Sequence, residues 1–179
     1  MRAFGASSGA ALREFRQTLQ RAFACVTDGV LISKTDGLTA SINMKPRLRR
    51  SGGQFVTFSV RHYIALTSDE SRPARERWVA RTVNYFYSLD DAAGREIVAY
   101  HWHPVGRSHV DMPHLHIGAG AGRLVPELTT AHLHTGAVAP TAILWLLIES
   151  FGVAARRSDW AQILIGVEDD LGVEDAWQH

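Results

Sequence analysis

Between Tyr100 and Thr135 the chain carries three His-x-His pairs, His101/His103, His114/His116 and His132/His134. With His109, this stretch holds seven of the nine histidines of a 179-residue protein. In an extended strand, side chains two residues apart project to the same face, about 7 Å from each other. Each pair therefore presents two imidazoles to one surface. Two kinds of chemistry use such a cluster. Three neutral imidazoles hold a divalent metal such as zinc and leave a coordination position open. His101, His103 and either His114 or His116 would supply them, and Asp111 is the one carboxylate between Arg107 and Arg123. Alternatively, a neutral and a protonated imidazole cleave a phosphodiester without metal, because histidine ordinarily titrates near neutrality. In that case His101, His103, His114 and His116 are the acid/base groups. Arg107 or Arg61 is then the cation that stabilises the charged phosphorane.

The charge distribution is asymmetric along the chain, which fits a polyanionic partner on the basic half, a basic partner on the acidic half, or solvated charges of both signs. Residues 1–81 carry 14 Lys/Arg against 6 Asp/Glu, whereas residues 82–179 carry 5 against 12. A basic half is an electrostatic footprint for nucleic acid, RNA above all if the histidines cut it. Lys45, Arg47, Arg49 and Arg50 stand just before the glycine pair Gly52-Gly53. They read as an exposed basic loop and, with Arg61, are the candidate phosphate contacts. A third reading is a non-catalytic binding module, with Tyr85 and Tyr87 as exposed contacts and the histidines hydrogen-bonded within the sheet.

The elements that must position these residues are those of a single α+β domain spanning 1–179, with flexible tails at 1–8 and about 168–179. Leu12, Phe15, Leu19 and Phe23 form one apolar stripe of an amphipathic helix from Gly9 to Val26, capped by Ser8. Period-two alternation marks a strand from Gln54 that places His62 between the core residues Val60 and Ile64. Further strands are expected at Val30–Ser33, Leu38–Ile42, Trp78–Leu89, Glu96–His103, Pro113–Gly118 and Leu128–His134. Together they make an antiparallel meander. Pro140 opens a buried helix that Gly152 ends, and Ser158 caps a shorter one, Asp159–Ile165. The single Cys25 excludes an internal disulfide, and the longest apolar run, Ala142–Ile148, is too short to span a membrane. A cytoplasmic protein is the expectation.

Pro113-His114-Leu115-His116-Ile117 resembles the histidine triad of nucleotide hydrolases, but Gly118 stands where the third histidine belongs. His132-Leu133-His134-Thr135 is similar to the paired motif of two-histidine phosphoesterases, with His134 in place of their Ser or Thr. A broader likeness covers residues 76–160. Its order is a hairpin, Tyr-His-Trp-His-Pro at 100–104, Pro-His-Leu-His at 113–116, a buried helix and Arg157-Ser158-Asp159-Trp160. It is similar to a group of small uncharacterised bacterial proteins, chiefly actinobacterial. The order of elements also resembles toxins of the TumE toxin–antitoxin type. That likeness implies a toxin-like ribonuclease with an antitoxin protein as partner.

Overall fold

A computed structural model of the chain describes residues 1–105, 110–122 and 125–173. Nine strands form one antiparallel sheet: β1 (Arg2–Gly5), β2 (Ile32–Asp36), β3 (Thr39–Met44), β4 (Arg47–Arg49), β5 (Phe55–Ser68), β6 (Trp78–Asp90), β7 (Glu96–Trp102), β8 (His114–Ile117) and β9 (Leu133–His134). Their main order is β2-β3-β5-β6-β7-β8-β9, with β4 beside β5 and β1 beside β6. Three helices, α1 (Ser8–Phe23), α3 (Pro140–Glu149) and α4 (Trp160–Leu171), accompany the sheet, and a short α2 (Pro126–Thr130) precedes β9. The α+β class, the antiparallel sheet and the N- and C-terminal helices are those expected from the sequence. No helix among the described residues is long and apolar enough to cross a membrane.

The sheet has two unlike faces because its long strands alternate strictly. Val56, Phe58, Val60, His62, Ile64 and Leu66 of β5 are buried, as are Ala40, Ile42 and Met44 of β3. Against this face lies α1, held at its start by the Ser7 hydroxyl, which accepts from the Ala10 N–H. Phe15, Leu19 and Phe23 of α1 are fully buried, each burial contributing on the order of 1.5–3 kcal/mol. Ile143, Leu144 and Leu147 of α3 and Leu164 and Val167 of α4 complete the same core. Among the described residues, the buried aliphatic and aromatic side chains of all three helices belong to this one core.

Several elements depart from the sequence expectation. Arg2–Gly5 is not a tail: it pairs with Trp78–Arg81. β7 reaches only Tyr85–Asp90 of the 13-residue β6, which leaves the first part of β6 open to β1. Arg47–Arg49 is a strand, paired with Phe55–Thr57, rather than a loop. The helix at the C-terminal side runs to Leu171, ended by Gly172 in the left-handed conformation, so 168–171 is no tail. Positions 174–179 lie outside the described residues. The segment before β9 is helical at Pro126–Thr130, and only Leu133–His134 extend as strand. α1 starts at Ser8, one residue early, because Ser7 is its cap, and Asp159 rather than Ser158 precedes α4.

A register shift in β6 matters most. Tyr63 pairs with Asn84 but Ile64 with Thr82, so Val83 is an extra residue that reverses the alternation. Thr82 and Tyr85 consequently share the core face. Tyr85 and Tyr87 are buried, stacked on each other at 4.8 Å, and are not the exposed contacts of the binding-module reading. Burial raises the Tyr87 hydroxyl pKa and pushes Tyr85 up to about 12. His62 lies beneath them. Its Nδ1 is 3.0 Å from the Tyr87 hydroxyl and its Nε2 2.7 Å from Thr82 Oγ1. One ring nitrogen donates and the other accepts, which is the neutral imidazole, and burial lowers its pKa to about 3.

Candidate metal centre on the open face

The histidines of β7, β8 and β9 all turn away from the helices. Tyr100 of β7 faces Leu115 of β8, and Leu115 faces Leu133 of β9, on the core side. Alternation then sends His101, His114 and His134 to the other side, directly opposite one another in the pairing register. His116 stands opposite Ala99, whose small side chain leaves room for the imidazoles above it. His101 reaches across to His116 with ring centres 4.8 Å apart.

Five imidazoles meet in this way. Ring centres are 6.1 Å apart for His101/His103, 5.5 Å for His101/His114 and 5.3 Å for His103/His114. On the far side His114/His116 are at 5.0 Å, His114/His132 at 5.1 Å and His116/His132 at 4.4 Å. The structure thus brings together all four site histidines selected from the sequence and adds His132. Spacing marks His132 as one of a pair but does not show that a short strand returns it to this face. Arg107, and His109 with it, lie outside the described residues.

Two triads have ligand atoms all within 4.8 Å of one another: His101/His103/His114 and His114/His116/His132. A tetrahedral zinc with bonds of about 2.0–2.1 Å separates its nitrogens by roughly 3.4 Å. Rotation of the side chains would have to close the remaining gap. His101, His103 and His116 therefore do not make a common triad, although the sequence allowed it.

His114 distinguishes the two triads. It is buried, and its Nδ1–H donates to the Met112 carbonyl at 2.8 Å, which leaves Nε2 as its one lone pair. That arrangement fixes the tautomer as a backbone acceptor does for a metal-ligating histidine. A single lone pair serves one ion, so the triads are alternative seats. Among the described residues, His114 Nε2 and His101 Nε2 are both buried with no hydrogen-bond partner. An unpaired buried nitrogen costs about 1–3 kcal/mol, and these two belong to the same triad, His101/His103/His114.

The electrostatics favour the neutral form of His101, His114 and His116. Burial, then the neighbouring His116, His114, His103 and His132, lowers the His101 pKa to about 4. Burial also lowers His114, against the opposing effect of the Met112 carbonyl, and lowers His116 together with His132, His114 and His103. Neutral imidazole is the ligand form, and neither triad includes a carboxylate.

Of the candidate phosphate contacts, Arg61 lies on this same face. One register line runs Asn43, Arg61, Phe86, His101, His114, His134 across five pairings. Arg47 and Arg49 share the face farther along β5, opposite Thr57 and Phe55. Lys45 is exposed just before β4, and Arg50 is tied to Val153 by an isolated bridge. A cavity of about 1260 Å³ lies outside the histidine cluster, and its lining includes Trp102 and Pro104, the chain neighbours of His103. Comparison with protein-family models, with curated proteins and with solved structures returns no match to this chain.

Proposed function

We propose that the protein holds one divalent transition-metal ion, zinc or a near neighbour, on His101, His103 and His114, and uses it for hydrolysis. The observation that carries this reading is the pair of buried, unpartnered Nε2 atoms on His101 and His114 in a common triad. Three neutral imidazoles leave the charge of the ion uncompensated and a fourth position open, which lowers the pKa of a bound water toward 7. His116 and His132 flank the seat, within ring contact of His114, and would accept the proton that such a water released.

The test is the metal content of tag-free protein by elemental mass spectrometry, with His101→Ala, His114→Ala and His132→Ala beside it. The expected result is about one equivalent per chain, lost in the first two variants and kept in the third. Metal-free protein that takes up no zinc or cobalt would overturn the reading.

A second reading, RNA or nucleotide cleavage by the histidines alone, is supported by Arg61 standing in line with His101. It requires a protonated imidazole, and His101, His114 and His116 are all held below the ordinary histidine range. Each suits a base better than an acid. Cleavage that survives a chelator is the outcome that favours it.

A further inference from the structure

The open face offers more than the metal seat. Beside the line through Arg61 and His101 runs a second one, Lys34, Ser41, Tyr63, Asn84, two residues along each strand. That line borders a groove of about 1260 Å³, whose lining also takes in Ile64, Thr82 and Tyr85 of the core face and Val138, Ala139 and Gly172 beyond the sheet. Small-molecule pockets are usually about 300–1,000 Å³. This one is larger, open along the sheet, and ends against the residues that flank His103.

Its lining sets cations and aromatic rings among apolar side chains. Arg2, Lys34 and Arg81 line the groove, and among the described residues Asp36 is its one carboxylate. Ion pairs elsewhere bind Arg21, Arg72, Arg75, Arg77, Arg95, Arg156 and Arg157. Lys34, Arg61 and Arg81 have no such partner among the described residues, so their charge is uncompensated. Tyr63 belongs to the groove lining, and Phe86 lies between Arg61 and His101 with its ring 4.7 Å from the imidazole. Here one ring, Tyr63, is exposed and the other, Phe86, is half-buried. A basic track with accessible rings is how a protein surface takes single-stranded nucleic acid, cations following the phosphates and bases stacking on the aromatics. A duplex hides its base faces and has no use for Tyr63.

We infer that the groove and the adjoining Arg61–Phe86–His101 line bind single-stranded nucleic acid, with phosphates on Lys34, Arg61 and Arg81 and bases on Tyr63 and Phe86. The strand then passes a phosphodiester across the histidine seat. The second statement rests on the metal-centre reading; the first does not.

The experiment is fluorescence anisotropy with labelled oligo(U), oligo(dT) and a duplex of equal length, on zinc-loaded and on chelated protein. Single strands are expected to bind in both metal states, more weakly as salt rises. Arg61→Glu and Tyr63→Ala are each expected to weaken binding about tenfold. Arg13→Glu, the same charge change on the helix side, is expected to leave it unchanged. A preference for oligo(U) or for oligo(dT) identifies the source of the strand, and either supports the assignment. Absence of binding, equal loss in Arg13→Glu, or tighter binding of duplex overturns it. Binding that persists in protein with no metal affinity retains the track and removes the metal centre, so the two readings fail separately.

Discussion

His101 and His114 face each other across β7 and β8, 5.5 Å between ring centres, and each keeps a buried Nε2 without a partner. Such a pair destabilises the fold as it stands, and a bound ion would relieve it. His101→Leu should therefore raise the stability of the metal-free protein by about 1 kcal/mol, since an unsatisfied nitrogen is replaced by apolar volume. The same change should abolish the rise in melting temperature on adding zinc. Thermal melts with and without zinc measure both. A metal-free variant less stable than the parent would count against the orphaned nitrogen.

The acid limit of the fold should be set in large part by His62. Its folded-state pKa of about 3 lies below the ordinary 6.5 of the unfolded chain. The contribution is complete above pH 6.5 and is lost as pH falls toward 3, by about 1.4 kcal/mol per pH unit. Urea melts should show about 2 kcal/mol less stability at pH 5 than at pH 7 from this residue. The direct check is the His62 ring proton resonance, expected to stay constant over that interval. An ordinary titration midpoint there would refute the assignment.

Tyr87→Phe removes the hydroxyl from His62 Nδ1 and leaves that nitrogen unsatisfied in the core. A loss of about 1–3 kcal/mol is expected, with metal binding unchanged, because the pair lies on the opposite face from the histidine cluster. Chemical denaturation and zinc titration together separate the two effects.

Gly118→Ala should damage both stability and site. A Cβ there would meet the backbone carbonyl of Glu96, and one at Gly120 would lie 2.6 Å from the carbonyl oxygen of Arg95. Main chain cannot swing aside as a side chain does, so a cost of a few kcal/mol follows. The end of β8 must shift against β7, carrying His116 with it. Lower melting temperature and weaker zinc affinity are the expected readouts.

The sequence showed the contents of the site but not its assembly. Each His-x-His pair announces two imidazoles on one face, because alternation is a local property of a strand. That His101, His114 and His134 stand in line is a property of pairing between strands, and no residue within β7 or β8 encodes it alone. Tyr85 and Tyr87 read as exposed because Phe86 makes β6 apolar on both faces, and the extra Val83 hides which face continues the core. Arg47–Arg49 resembled a loop since only Leu48, fully buried, carries a strand signal between two arginines. Arg61 was visible as a cation, yet its place beside Phe86 and His101 required the register of β5 on β6.

That register has one more consequence. A slip of β8 by one residue against β7 would keep most backbone hydrogen bonds but turn Leu115 and Ile117 outward and drive both histidines into the core. β8 has four residues and β9 two, too few to enforce the alignment strongly by apolar burial alone. An ion held by His101 and His114, as proposed, would accept one alignment and no other. It would then act as a proofreader of strand pairing, selecting by mass action the chains whose sheet edge has closed correctly.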